Sequence, residues 1–335
     1  MRKSGNTKAT RRDVAARAGV SVATVSYVLG GRPGVKISGK TREAVLEAAR
    51  QLDYHPSYIG TALTTRRSRN IGVLFRTLHH LNYHFYREIL IGAGTLMEEE
   101  NYQLLLFFRT ARVRLVDIMN SGRADGIFVI QSDNEEQPIV ELAESGVPMV
   151  LINHRAPEIP GRKAAEVMPD HRGMMEDAVS AFCAAGRKKI MLVSPATCAN
   201  SALNTAFFCA CARRSAEGLT ASRLNRGTLL EFEEQLRELI VRKKLPDAFF
   251  INRFEYAQAA CRVFAEKGIV PGKDIDLAAC TPEEAPGSFD FPLTLYRYDG
   301  MTMGKTAWEL MKKIFAGINE PLEKRSVPFL KSIFP

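Results

Sequence analysis

Three histidines lie close together and are the first residues whose types suggest chemistry. His79, His80 and His84 follow a short apolar run, and His80 and His84 would share one face of a helix. Imidazole nitrogens at that spacing can hold a metal ion, usually together with cysteine or carboxylate ligands. No acidic residue or cysteine flanks these histidines. We therefore expect a polar loop here and no metal site.

The sequence shows no recognisable catalytic set or cofactor motif. No Ser/His/Asp set, close carboxylate pair, G-x-G-x-x-G after a first strand or P-loop is evident. Nothing indicates secretion, so most cysteines are expected to be small core residues rather than disulfide partners. The six are Cys183, Cys198, Cys209, Cys211, Cys261 and Cys280. We accordingly expect no enzyme and no cofactor.

The basic residues, in contrast, are segregated. The first 69 residues contain 14 of the 46 lysines and arginines but only 4 of the 37 acidic residues, a net charge of +10. The rest of the chain has a net charge of −1. A segregated positive charge is typical of a surface that binds phosphates. With 335 residues, the chain has room for a small basic domain and a larger one of two lobes.

Two short helical patterns separated by a tight turn lie in this basic segment. Thr10 and Asp13 can form a capping box, Gly19 permits a sharp stop, and Ser21 can cap the second helix. Apolar residues recur at helical spacing at Val14, Ala15 and Ala18, then at Val25, Val28 and Leu29. The pattern is typical of a helix-turn-helix, whose second helix enters the DNA major groove. A generic pair of short helices is the alternative reading.

A third helix is predicted after Ser38, which can cap it. Its apolar face would consist of Val45, Leu46, Ala49 and Leu52. The step from His55 to Pro56 should end this helix, because the residue before a proline avoids the α region. Ser57 can cap a further short helix over residues 58–64.

Five phrases in this segment, DVAARAGVS, ATVSYVL, GRPGV, KTRE and LDYHPS, carry a family resemblance. Residues 10–69 resemble the DNA-binding headpiece of the LacI/GalR family of bacterial transcription regulators. The resemblance implies a cytoplasmic homodimer that binds a near-palindromic operator, most often as a repressor, under the control of a small-molecule effector. The implied DNA-binding residues are Thr10, Ser21, Val22, Ala23, Thr24, Ser26, Tyr27, Gly30, Ser38, Thr41, Ser57, Gly60 and Leu63.

The resemblance assigns these residues different roles. It implies that the bases that vary between operators are read by Val22, Ala23 and Tyr27. It implies that phosphates are contacted by Ser21, Thr24 and Ser26. Leu63 matches a leucine that both subunits wedge into the minor groove. Its segment, 58–64, is short and contains Gly60, which costs a helix ~1 kcal/mol relative to alanine. We expect it to become helical only on DNA.

Beyond Asn70, short apolar runs alternate with helical patterns. Strands are predicted at Ile71–Phe75, Leu104–Phe108, Gly126–Ile130, Met149–Ile152, Ile190–Val193, Phe249–Ile251 and Ile275–Ala279. Helices are predicted at Arg87–Glu100, Gln137–Ser145, Met174–Ala185, Phe232–Lys243 and Ala257–Lys267. This alternation predicts an α/β fold with parallel sheets covered on both faces.

The resemblance extends to a periplasmic-binding-protein-like core through ADGIFVI, SGVPMVLIN, AAGRKKIMLV, PDAFFIN and PLTLYRYDGMTMGK. It implies a headpiece at 1–56 and a hinge helix and linker at 57–69. The N-terminal lobe would comprise 70–182 and 300–323, and the C-terminal lobe and tail 183–299 and 324–335. The chain ends at SVPFLKSIFP without the leucine heptads that some members use to form tetramers, so a dimer is expected.

The implied effector site departs from the pattern of sugar-binding members. Leu203 stands where they commonly have an arginine, Arg253 replaces an aspartate after Asn252, and Thr281 replaces another aspartate. Such charges hold sugar hydroxyls, so the departures indicate a different ligand, for instance an anionic one, or a core that only dimerises. The full set of expected effector-binding residues is Phe85, Tyr86, Asp170, Leu203, Asn252, Arg253, Thr281 and Tyr298.

Two function classes therefore stand. The leading one is a homodimeric regulator of transcription, and the alternative is a small-molecule-binding protein or enzyme on the same α/β core. No apolar run approaches the ~20 residues of a membrane span. The basic N-terminus is not followed by the apolar segment of a signal peptide.

Overall fold

The computed structural model describes most of the chain as two compact units, within residues 1–69 and 70–335. The described residues are 9–30, 36–55, 62, 65, 67–75, 81–108, 114–130, 137–154, 164–195, 202–225, 227–282, 289–318 and 323–334. Among them, no helix has the length and apolar character needed to cross a membrane.

The first unit, the headpiece, contains three helices around a small apolar core. They are α1 (Arg11–Ala18), α2 (Val22–Gly30) and α3 (Gly39–Gln51). Gly19 adopts φ 65° at the end of α1, a backbone conformation that glycine tolerates without strain. The buried core consists of Val14, Ala15, Val25, Val28, Val45, Ala48 and Ala49. The predicted helix-turn-helix is thus present, with the predicted caps.

The third helix differs from its prediction at two points. Leu46 is 49% exposed, and Ala48 takes its place in the core, because the helix turns Ala48 and Ala49 toward α1 and α2. The helix ends at Gln51, before the predicted stop at the His55–Pro56 step. Of the predicted DNA-binding residues, Ser57, Gly60 and Leu63 lie outside the described residues.

The second unit contains two six-stranded sheets, and each forms the centre of one lobe. The first sheet has the order β11-β5-β4-β3-β1-β2, with all strands parallel. Its strands are β1 (Asn70–Phe75), β2 (Gln103–Phe108), β3 (Gly126–Ile130), β4 (Met149–Ile152), β5 (Ala164–Pro169) and β11 (Glu323–Val327). The helices of this N-terminal lobe are α4 (His84–Glu99), α5 (Leu115–Asn120), α6 (Gln137–Glu144) and α11 (Gly300–Phe315).

The second sheet has the order β12-β10-β9-β8-β6-β7, and only β12 is antiparallel to its neighbour. Its strands are β6 (Lys189–Ser194), β7 (Thr220–Asn225), β8 (Ala248–Asn252), β9 (Asp276–Thr281), β10 (Leu293–Arg297) and β12 (Leu330–Phe334). The helices of this C-terminal lobe are α7 (His171–Ala184), α8 (Ala202–Ala212), α9 (Leu229–Val241) and α10 (Phe254–Glu266), with a short 3-10 helix at Ser215–Glu217. All seven predicted strands are present.

The chain crosses between the lobes three times, and the crossing points correct the predicted boundaries. The first crossing is at Asp170, so α7 belongs to the C-terminal lobe, where its apolar face joins the core under β6 and α8. The second follows β10, and the third lies between β11 and β12. Residues 324–327 therefore belong to the N-terminal lobe, because β11 pairs with β5.

The structure shows where the described cysteines and one of the three clustered histidines lie. The five described cysteines are free; Cys211, Cys261 and Cys280 are buried, and Cys209 is exposed. No cluster of three or more potential metal ligands occurs among the described residues. His84 lies on α4, where its Nε2 is 3.2 Å from Glu88. His79 and His80 fall outside the described part of the chain.

Helices α4 and α11 pack with unusually little space between their backbones. A Cβ atom added at Gly92 would overlap the carbonyl oxygen of Met301, and one added at Gly304 would overlap that of Ile89. Glycine at these positions lets the two helices approach closely. The contact holds α4, whose first turn faces the other lobe, in a fixed position on the N-terminal sheet.

We predict that Gly92→Ala destabilises the protein by about 1–3 kcal/mol, since the new methyl group meets a backbone atom that cannot rotate away. Gly94→Ala is the matched control on the same helix, because its nearest neighbour would be Leu104 Cδ1 at 4.0 Å. That variant should gain up to about 1 kcal/mol from helix propensity. Urea unfolding of both variants tests this, and equal effects would contradict the close packing.

Candidate nucleic-acid interface and ligand cleft

The N-terminal end of α2 presents an exposed surface. Val25 and Val28 are buried against α1 and α3, which turns the opposite face of the helix outward. Ser21, Val22 and Ala23 are exposed there, and Val22 alone is 42% exposed. Val22 is not part of the buried headpiece core. Its side chain can therefore contact another molecule.

The same cap occurs at the start of α2 and α3. The Ser21 hydroxyl accepts a hydrogen bond from the Thr24 backbone N–H at 3.0 Å, and the two hydroxyls lie 2.9 Å apart. Ser38 and Thr41 repeat this arrangement at 3.1 and 2.8 Å. Each hydroxyl pair has two hydrogens and uses one internally, so one remains to donate outward. A helix N-terminus with such a donor is suited to bind a phosphate.

The start of α1 differs because a carboxylate occupies it. Asp13 accepts hydrogen bonds from the Thr10 hydroxyl and the Thr10 backbone N–H, both at 2.7 Å. These bonds hold the pKa of Asp13 below its usual range, so the group is charged at neutral pH. The negative charge offsets the positive end of the helix dipole. Thr10 is thus engaged in the cap, and α1 is less suited to bind a phosphate than α2 or α3.

The other predicted DNA-binding residues of α2 lie along its flank. Ser26 and Tyr27 are half-buried, and Gly30 is exposed at the end of the helix. Arg11 Nη1 lies 3.5 Å from the Ser26 hydroxyl. The structure therefore brings the described members of the predicted set to the exposed ends and sides of α1, α2 and α3.

In the second unit, a cavity of about 250 Å³ lies between the lobes. The N-terminal lobe contributes side chains from the start of α4 and the end of β4. The C-terminal lobe contributes residues after β8 and β9, and the crossing after β10 contributes a tyrosine. The lining residues are Tyr83, Phe85, Tyr86, Asn153, Asn252, Arg253, Pro282 and Tyr298.

Direct contacts join the two lobes beside this cavity. The Phe85 backbone N–H donates to the Pro282 carbonyl oxygen at 3.0 Å. Arg297, the last residue of β10, forms a 2.8 Å ion pair with Glu88 on α4, and both side chains are mostly buried. The cavity therefore lies in a cleft whose walls are held together by a hydrogen bond and an ion pair.

Arg253 occupies this cleft with a backbone conformation that is rare for its residue type. Its φ of 91° and ψ of 126° lie where glycine is favoured, and such strain costs ~1–3 kcal/mol. Its guanidinium carbon lies 5.6 Å from the centre of the Tyr83 ring, and its Nε lies 2.5 Å from Glu255. Burial lowers the pKa of Arg253, but Glu255 and Tyr83 more than offset this, so the net shift is upward.

Comparison with known proteins agrees with both units. Residues 10–57 match the family described as "Bacterial regulatory proteins, lacI family". Residues 179–332 match the family described as "Periplasmic binding protein-like domain". The headpiece and a large part of the two-lobed core are thus recognised independently. The chain combines a segment that matches the lacI family with a core that matches periplasmic-binding-protein-like domains.

Individual relatives agree with these two matches. Catabolite control protein A of Priestia megaterium is 31% identical over 188 residues, which are 54% of this chain and 54% of that protein. The first matches span about half the length of those relatives. The HTH-type transcriptional repressor PurR of Haemophilus influenzae is 26% identical over 95% of this chain and 94% of its own. The lac repressor dimer bound to operator and the anti-inducer ONPF has a TM-score of 0.74 at 19% identity, over 98% of both chains.

The structure brings five of the eight predicted effector-binding residues into the cavity, and three lie elsewhere. Leu203 is 4% exposed and packs in the core between α7 and α8. Thr281 is 1% exposed at the end of β9 and is not among the cavity lining. Asp170 caps α7 by accepting from the Gly173 N–H at 2.9 Å, and it borders a separate groove of about 620 Å³.

Three lining residues were not in the predicted set. Asn153 directly follows β4, as Asn252 ends β8, so its place at the carboxyl end of a parallel strand could have identified it. Tyr83 precedes α4 beside the predicted Phe85. Pro282 follows β9 and takes part mainly through its backbone, which no sequence pattern indicates.

We predict that Arg253→Gly is more stable than Arg253→Ala by about 1 kcal/mol. Both variants remove the guanidinium, but only glycine adopts the observed φ without strain, and this outweighs its greater chain entropy. Urea unfolding of the pair measures the difference directly. An alanine variant that is as stable as the glycine variant would show that the backbone there is not strained.

Proposed function

We propose that the protein is a sequence-specific DNA-binding regulator of transcription, most simply a repressor. It binds a near-palindromic operator as a homodimer, and a small-molecule effector in the inter-lobe cleft modulates it. The observation that carries this proposal is the exposed, serine-capped N-terminus of α2 in a segment with a net charge of +10. Because operators lie in the bacterial cytoplasm, the proposal also places the protein there.

Phosphate contacts position the headpiece on DNA in this proposal. The N-termini of α2 and α3 offer backbone N–H groups and outward hydroxyl donors from matched Ser/Thr pairs. Such contacts fix orientation without carrying sequence information. The α1 terminus, neutralised by Asp13, contributes less. This assigns phosphate contact chiefly to Ser21, Thr24 and Thr41.

Base readout falls to the outer face of α2. Val22 and Ala23 carry no hydrogen-bonding groups, so they contact apolar features such as thymine methyl groups. Tyr27 offers one hydroxyl and lies further along the helix, half-buried. It cannot form the bidentate contact that an arginine makes with guanine. The operator should therefore be selected largely by shape and apolar contact at these positions.

Dimerisation provides the affinity that one small headpiece lacks. Each headpiece binds one half-site, and linking two of them raises the effective concentration of the second. The lac repressor, whose fold this chain shares, is described as a dimer bound to operator. The effector then acts by binding one arrangement of the two lobes more tightly than another.

We predict that Tyr27→Ala and Thr24→Ala change DNA binding in different ways. Thr24→Ala should weaken binding to all sequences by roughly tenfold, because it removes a hydrogen bond to a charged group. Tyr27→Ala should change which operator sequences are preferred. Binding-site selection with randomised DNA, followed by fluorescence anisotropy, measures both effects.

The exposed Thr220 on β7 provides the control, since Thr220→Ala removes a hydroxyl outside the headpiece. It should bind every sequence as the unmodified protein does. Identical selected motifs for the unmodified protein and Tyr27→Ala would contradict the assigned base readout. An unmodified protein that prefers no sequence at all would contradict the proposed function itself.

We also predict a dimer in solution. Sedimentation at micromolar concentration should give twice the chain mass of 37.2 kDa. A DNA fragment with one half-site should bind far more weakly than one with two, because the second headpiece has no site. A monomer that binds the full operator tightly would contradict this part of the proposal.

A further inference from the structure

Four of the eight described residues that line the cleft cavity are aromatic. The centre of the Phe85 ring lies 5.0 Å from that of Tyr86 and 5.1 Å from that of Tyr298, with tilted planes. Tyr83 meets Tyr86 at 6.1 Å in an edge-on arrangement. Rings at these separations prefer further rings that stack offset or edge-on. Phe85 and Tyr86 are almost fully buried, so the half-buried rings of Tyr83 and Tyr298 are the ones that a flat, aromatic occupant would meet.

The volume of the cavity suits an occupant of about one ring. A cavity of ~150 Å³ is sufficient for benzene. This cavity has about 250 Å³, which leaves room for one ring with a short polar substituent. Pockets for drug-sized ligands are usually larger, at ~300–1,000 Å³.

The lining contains one cation, which is paired on one side with Glu255. Arg253 is the one charged residue among the described lining residues, and the other polar groups there are the amides of Asn153 and Asn252 and the tyrosine hydroxyls. Sugar sites use carboxylates and arginines to hold several hydroxyls. Here the described lining residues offer a cation and no carboxylate, and Glu255 contacts that cation only at its Nε. An anionic substituent is the partner that such a lining favours.

The guanidinium of Arg253 is also held in place before any ligand binds. Its backbone N–H donates to the Cys280 carbonyl oxygen at 2.9 Å, and its carbonyl oxygen accepts from the Tyr256 N–H at 3.2 Å. Glu255 contacts its Nε, and Tyr83 lies against its flat face. A guanidinium has five N–H donors, so these contacts leave donors for an anion. Its fixed position reduces the entropy lost on binding.

We propose that the cleft binds a small planar aromatic anion, with the ring against Tyr83 and Tyr298 and the anionic group on Arg253. This rests on the proposed function only in taking the cleft as the effector site. Residues from both lobes would contact such a ligand. Its binding would therefore favour the arrangement in which Phe85 and Pro282 are hydrogen-bonded.

Calorimetry on the purified full-length protein without DNA tests the proposal, with benzoate as the probe. Benzamide serves as the uncharged probe of the same shape, and ribose and cellobiose as neutral sugars. Benzoate should bind about tenfold more tightly than benzamide, because a hydrogen bond to a charged group is stronger than one to a neutral group. The sugars should bind more weakly than either.

Variants identify the site. Arg253→Gln should abolish the preference for benzoate over benzamide, because the glutamine amide can donate a hydrogen bond to either probe but carries no charge. Arg253→Lys keeps the charge but not the planar fork, and it should retain part of the preference. Arg172→Gln is the control, since Arg172 is an exposed arginine beside the separate groove. That variant should bind benzoate as the unmodified protein does.

Three results would overturn the proposal: tighter binding of ribose or cellobiose than of benzoate, equal binding of benzamide and benzoate, or no binding of benzoate at millimolar concentration. Loss of the benzoate preference in Arg172→Gln but not in Arg253→Gln would equally overturn it. Operator binding is measured separately. A protein that binds benzoate in the cleft but no specific DNA would overturn the proposed function and leave this inference standing.

Discussion

The geometry of the cleft depends on one carboxylate, Glu88. It lies in a mostly buried position, where an unpaired charge would be costly. Its side chain is 13% exposed, and Arg297 at 2.8 Å and His84 at 3.2 Å lie against it. The backbone N–H of Gly300 donates to it at 3.3 Å. A buried carboxylate is tolerated only with such partners. These contacts connect α4 to the end of β10 and the start of α11, and they thereby fix the turn that places Phe85 between the lobes.

The sequence predicts most of the central strands, though not β5 and β10, because the signal of the predicted ones is local and strong. Strands β1, β3 and β4 are buried over nearly their whole length, so each forms a continuous apolar run. The edge strands β7, β11 and β12 are mostly exposed, and β7 and β11 carry polar residues at most positions. Pairing with one neighbour defines them as strands, and that pairing depends on distant parts of the chain. This is why the boundary near residue 324 was misplaced.

The two candidate sites also differ in how far apart in the sequence their residues lie. The caps of α1, α2 and α3 join residues three positions apart, so the identities of Thr10, Ser21 and Ser38 predict them directly. The cleft is assembled from the ends of strands far apart in the sequence. Its strained member, Arg253, takes its conformation from hydrogen bonds with the neighbouring strand end. Sequence comparison can suggest such a position, but the direction and surroundings of the side chain come from the tertiary structure.

The three crossings together form the hinge between the two lobes. Each crossing has an aromatic residue in it or beside it, and one of these residues also lines the cavity. His171 follows the first crossing, Tyr298 lies in the second and Phe329 in the third. Their ring centres are 4.6 Å apart for Tyr298 and Phe329, 5.6 Å for His171 and Phe329, and 6.1 Å for His171 and Tyr298. Tyr298 also lines the cavity. Since packed aromatic groups change position in discrete steps rather than by continuous deformation, a ligand that displaced Tyr298 would have to displace its hinge neighbours too. Occupancy of the cavity and the angle between the lobes are therefore coupled directly through the Tyr298 side chain.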